Sequence, residues 1–212
     1  MAAEVSAPDS EPTEKSAKTS ASQHTRAHRS VTAGRVLVAI MLALAVFALY
    51  CYYSVQQLKH WITPSWDLAI FTQMAQAYSH FDMPIVQIKG TDFNLWGDHF
   101  HPILVLLGPV YAVFPSPLTL LVVQNFMIAA SVYMMVRFTQ RACALSSAKP
   151  EPAGTFVGVL LGAAFALSYG VQQAVAAQFH EVAFALPFLC GALGNLVLAG
   201  RINADERSRY II

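Results

Sequence analysis

Four apolar blocks set in polar sequence organise this chain, at residues 36–53, 118–138, 156–169 and 182–199. A helix of about 20 apolar residues crosses a hydrocarbon core, so each block is predicted as a membrane span. Tyr50, Tyr52 and Tyr53 close the first block, where an aromatic interface belt is expected. That block follows a long polar segment and has no Ala-x-Ala exit, so it reads as a signal anchor and not as a cleaved signal peptide. The preceding residues 1–34 are rich in Ser, Ala, Thr and Pro. They cannot bury enough apolar area to offset the entropy of ordering, which predicts a disordered tail.

Between the first two blocks lies a loop, 54–117, with two shorter periodic stretches. Over 68–81, Leu68, Phe71, Met74, Ala75 and Tyr78 recur at helical spacing, with Thr72, Gln73, Gln76 and Ser79 elsewhere on the wheel. This predicts an amphipathic helix of low charge, suited to a membrane surface. Residues 81–97 show no clear period and read as loop. Residues 103–114 are apolar but about a dozen long, short for a span and suited to an interfacial helix. Further on, Gly154, Gly158, Gly162, Ala166 and Gly170 recur every four residues, a small-residue stripe that lets a neighbouring helix approach closely.

Composition agrees with a bilayer and excludes other classes. The chain is 56% apolar and 12% charged, unlike a soluble domain. A net charge of +1 without a basic stripe argues against nucleic acid. Cys51, Cys143 and Cys190 are far apart and form no zinc pattern. Charge also sets topology. If 103–114 does not cross, four spans result, and eleven of the thirteen Lys and Arg residues fall on the side of the two termini. Only Lys59 and Lys89 fall opposite. The positive-inside rule then makes both termini cytoplasmic, 201–212 a second cytoplasmic tail, and the protein a multi-pass component of the plasma membrane. The fold class is therefore all-α: a polytopic membrane protein of about four spans with interfacial helices in its first extracytoplasmic loop.

Two polar clusters share that extracytoplasmic side. One holds Asp67 and, further on, Asp98, His99 and His101; the other holds His180 and Glu181. Each has an ordinary structural account. Asp67 precedes an amphipathic helix and could cap it. Asp98 or His99 could cap the helix that Pro102 opens, and Glu181 suits a helix N-terminus electrostatically. Each also has a chemical account. A carboxylate at an interface can act as general base toward an acceptor hydroxyl. Asp98, His99 and His101 could supply part of a divalent-metal site, and imidazoles beside a helix N-terminus suit a phosphate better. No P-loop, GxGxxG, GxSxG or HExxH motif is present, and no charged residue lies mid-span, which counts against an ion pathway.

Four segments in order carry a family resemblance: Trp66-Asp67-Leu68-Ala69-Ile70-Phe71-Thr72-Gln73, Gly97-Asp98-His99-Phe100-His101-Pro102-Ile103-Leu104, Pro115-Ser116-Pro117-Leu118-Thr119-Leu120 and Phe179-His180-Glu181. From about residue 36 to residue 199 the chain resembles the bacterial membrane-protein family called domain of unknown function 2079. That family is similar to the GT-C glycosyltransferases, which use polyprenyl-phosphate-linked sugars. The resemblance implies a catalytic or metal-site acid at Asp67, lipid-phosphate contacts from Asp98, His99 and His101, and a pocket completed by His180 and Glu181. It makes a divalent metal a candidate cofactor. His101-Pro102 is similar to the His-Pro that opens an interfacial helix in protein mannosyltransferases. GT-C enzymes carry an acidic pair where Asp67 stands alone, so Asp82, Asp92 or Asp98 would have to serve as its partner. Members of both families are longer, which implies that this chain is the N-terminal portion of a module completed by further spans. The rival reading is a non-enzymatic membrane protein, either a transporter component or an extracytoplasmic ligand or metal binder.

Overall fold

The computed structural model describes residues 11–62, 66–146 and 152–209. Its helices are α1 (Glu11–His60), α2 (Trp66–Ser79), α3 (Leu107–Val113), α4 (Pro117–Ser146), α5 (Ala153–Ala166), α6 (Tyr169–Ala176) and α7 (Leu186–Arg209), with short 3-10 segments between them. The chain divides into two units, Met1–Leu37 and Val38–Ile212. In the first, residues 11–34 belong to a helix where a disordered tail is expected from composition. Ala, Glu, Lys, Arg and Gln occupy many of its positions, and these residues propagate a helix once it is nucleated. Residues 1–10 and 210–212 lie outside the described residues, as does Lys149.

Three helices of the chain are long and apolar enough to cross a membrane: Thr32–His60, Pro117–Leu145 and Glu181–Gly200. The remaining predicted span, third in chain order, is different. It is α5 and α6 in succession, bent by 43° where Leu167 and Ser168 interrupt the ladder. At 1.5 Å per residue α5 reaches about 21 Å, short of a core of about 30 Å, and α6 supplies the remainder.

Packing fixes the direction of each helix in the second unit. On α1, Leu42 lies near Gly162 while Tyr50 bonds Ala166 and Gln57 bonds Ala176, so α1 and the α5–α6 pair run the same way. On α4, Gln124 bonds Gln178, whereas Val136 and Cys143 lie against Gly158 and Gly154, so α4 runs opposite to the pair. Met134 and Phe138 then meet Gly191 and Gly194, which sets α7 parallel to α4. The four successive elements thus alternate in direction, and α6 continues towards the end that α5 is heading for instead of turning back.

A break inside a bundle frees carbonyls that hydrocarbon cannot satisfy. Side chains do so here. The Tyr50 hydroxyl donates to Ala166 O and Gln172 Nε2 donates to Leu167 O at 2.7 Å, while at the far end of α6 Gln57 Nε2 donates to Ala176 O at 2.7 Å. The small-residue stripe works as expected through Gly154, Gly158, Gly162 and Ala166, all buried. It fails at Gly170, which has open space around it, because the bend turns that position out of the interface.

The loop helices pack on the bundle end. α2 buries Leu68, Ile70, Phe71, Met74, Ala75 and Tyr78. This is the predicted stripe, but it meets Leu104, Leu107 and Tyr111 of the chain itself and not a bilayer. The region expected as plain loop is pinned: Ile85 and Asn94 form an isolated antiparallel bridge, and Val86 and Leu95 are fully buried. The short apolar segment Pro102–Val113 opens as a 3-10 turn and continues as α3, below span length as predicted.

Candidate functional site

The end of the bundle where α1 and α6 finish and α4 begins carries both polar clusters. Asp67 is the second residue of α2, in its first turn, so it is not the cap. A carboxylate there gains from the N–H groups of the helix start. His180 stands at the cap position of the 3-10 segment Glu181–Ala185 without a side-chain capping bond. Its Nδ1 lies 3.8 Å from Asp67 Oδ2 and 2.7 Å from its neighbour's carbonyl, Phe179 O. The first distance is within ion-pair range but too long for a hydrogen bond. Asp67 is 49% exposed and His180 37%, so neither is sealed inside the protein.

Three residues beyond the acids and histidines build this approach. Gln124, fully buried on α4, donates from Nε2 to Gln178 O at 2.8 Å and accepts from His180 N at 2.6 Å. It grips both sides of Phe179, where Gln178 takes a left-handed φ of 72°. Phe71 stands between the clusters: its ring lies 5.1 Å from Phe179 and 5.9 Å, edge-on, from His99. A glutamine inside an apolar block was a signal available in the sequence. Phe71 and Phe179 offered none beyond apolarity.

The second cluster is arranged differently from expectation. Asp98 follows the 3-10 turn Leu95–Gly97, and neither Asp98 nor His99 caps the helix that Pro102 opens; His101 holds the cap position, with no capping bond. Asp98 is ion-paired with Lys89, whose ammonium also sits 4.9 Å over the Phe93 ring. The Lys89 bond and, after it, the neighbouring His99 hold the Asp98 carboxyl below the usual carboxylate range. His99 Nδ1 is 3.0 Å from Asp98 Oδ2 but outside hydrogen-bond geometry. The His99 and His101 rings are 6.0 Å apart, and His101 Nδ1 is buried without a partner. Tyr78 and Trp96 brace the loop, with Trp96 Nε1 donating to the Tyr78 hydroxyl at 2.7 Å, and burial pushes the Tyr78 phenol up.

The structure therefore joins Asp67 to His180 and, through Phe71, to His99. Asp98, one of the acids expected to partner Asp67, is engaged by Lys89 instead. No group of three His, Cys, Asp or Glu side chains is placed to hold a metal among the described residues, so Asp98, His99 and His101 do not form a ligand set. No hydrogen bond or ion pair ties Glu181 to the other site residues among those described.

Fold and site together define a polytopic, all-α membrane protein with a polar site at one end of its helix bundle. The family model of predicted membrane proteins termed DUF2079 matches residues 57–204, which include all four motif segments. The chain belongs to that family. No curated protein and no solved structure matches it.

Proposed function

We propose that this chain carries the acceptor end of a glycosyltransferase-like site that uses a polyprenyl-phosphate-linked sugar at the outer face of a bacterial plasma membrane. Both termini are cytoplasmic in this reading, so the site end of the bundle is extracytoplasmic. Asp67 takes the proton of the acceptor hydroxyl, and His180 orients the carboxylate and shares its charge. His99 and His101 face the phosphate, a role that fits imidazoles placed ahead of a helix start. Asp98 acts indirectly, through Lys89 and His99, and Glu181 closes the far wall. The observation that carries the reading is the 3.8 Å approach of His180 to Asp67, two residues from opposite halves of the chain.

The test is Asp67→Asn in membranes from cells making the full-length gene product, with transfer from polyprenyl-phosphate sugars as readout. The expected loss is about 10²-fold or more, the usual contribution of a general base. Undiminished transfer removes Asp67 from the chemistry. A second reading, a non-enzymatic binder of an extracytoplasmic ligand, draws on the histidine in place of the acidic partner at Asp67. Retained ligand binding with no transfer by any membrane preparation would favour it.

A further inference from the structure

α2 has a second working flank. Trp66, Ala69 and Gln73 recur at helical spacing along it, joined by Thr72, while Asp67 and Phe71 lie on the face turned away. Beside that second flank is a cavity of 480 Å³, walled also by Leu58 of α1, by Trp61 just after it, and by Ile88, Pro117 and Gln178. Leu58 stands near the end of one candidate span and Pro117 begins the next. The cavity therefore lies beside the ends of two helices long and apolar enough to cross a membrane.

Its wall is mainly apolar. Thr72 Oγ1 donates back to Leu68 O at 2.6 Å, and Gln73 Oε1 accepts from Ile88 N at 3.3 Å, so the polar lining is reduced to the Gln73 amide nitrogen and Gln178. Water in such a space finds few partners, and an empty space forfeits dispersion contacts along its whole lining. Trp61 and Trp66 at the rim are 81% and 67% exposed. Tryptophans so placed mark the headgroup level of a bilayer.

We propose that this cavity holds one acyl chain of a bilayer phospholipid, with its headgroup beside Trp61 and Trp66. The flank separates the lipid sources: Asp67 lies on the opposite face of α2, and only Gln178 of the lining borders the His180 segment, which suits a structural phospholipid better than the donor of a transfer reaction. The proposal needs the chain to reside in a bilayer and does not depend on the reaction proposed above.

The experiment uses the full chain in vesicles of phosphatidylethanolamine and phosphatidylglycerol, doped with phosphatidylglycerol carrying a mid-chain diazirine. After irradiation, labelled residues are mapped. Labelling is expected to concentrate on Leu58, Trp61, Ala69 and Ile88, above that of the outward-facing Leu193 and Leu196 on α7. Ala69→Phe and, separately, Thr72→Phe fill the cavity and should lower labelling there to the α7 level while α7 is unchanged. Even labelling of the wild-type chain overturns the proposal whether or not the variants fold. So does undiminished labelling in a variant that elutes as the wild type does. Displacement of the label by polyprenyl phosphate, and not by unlabelled phosphatidylglycerol, also overturns it and would assign the cavity to the donor.

Discussion

Gln124 shows how one side chain can define a site it does not chemically serve. Its amide holds Gln178 O and His180 N at once, so the register of Phe179 and the position of His180 against Asp67 both depend on it. Gln124→Leu keeps the volume and leaves both groups unpaired, and each buried orphan costs about 1–3 kcal/mol. A lowered thermal midpoint in detergent is expected, with a larger loss than for Gln172→Leu, whose bond is exposed. Equal midpoints would mean that the linker is held by packing alone. Asp98 gives a prediction in pH. Its folded value lies below the ordinary carboxylate value of 3.8, because Lys89 stabilises the charged form. The stabilisation is therefore complete above that ordinary value and is lost as pH falls through the depressed one. Trp96 fluorescence, two residues away, should show an acid transition that Asp98→Asn abolishes.

Elements meet here through glycine as much as through apolar stripes. A Cβ at Gly108 would lie 2.7 Å from the Tyr78 carbonyl oxygen, so α3 rests directly on the backbone of α2. Backbone cannot rotate away, and overpacking of this kind costs about 1–3 kcal/mol. Gly108→Ala should lower the thermal midpoint, whereas Gly170→Ala, in open space, should leave it unchanged. The α5–α6 break follows a related rule. A bent span is tolerated because Tyr50 and Gln172 close the carbonyls it frees, and those residues come from α1 and α6, not from α5 itself.

At the scale of the molecule, alternating helix directions put Asp67, His99 and His180 at one end of the bundle and Arg137 and Arg141 towards the other. The site then requires the third span, α5–α6, to be real although broken. In intact cells, and in a chain stripped of Cys51, Cys143 and Cys190, Thr91→Cys and Gln173→Cys should both react with an impermeant thiol reagent. Arg141→Cys should react only after lysis. Protection of Gln173→Cys before lysis, with reaction afterwards, would make α5–α6 a re-entrant hairpin and separate the clusters.

By itself the sequence determined the class and the plan: apolar runs of span length, a short interfacial segment at Pro102, and a small-residue stripe follow from composition and period, which are local properties. It also marked Asp67 and His180, because polar groups beside apolar helices are few. Tertiary structure alone decided that these two meet, that Asp98 goes to Lys89 instead, and that the third apolar block bends. Each of those outcomes depends on which buried donor reaches which freed carbonyl or charge across the bundle. Such a choice is made by packing between residues far apart in the chain, where no local pattern records it.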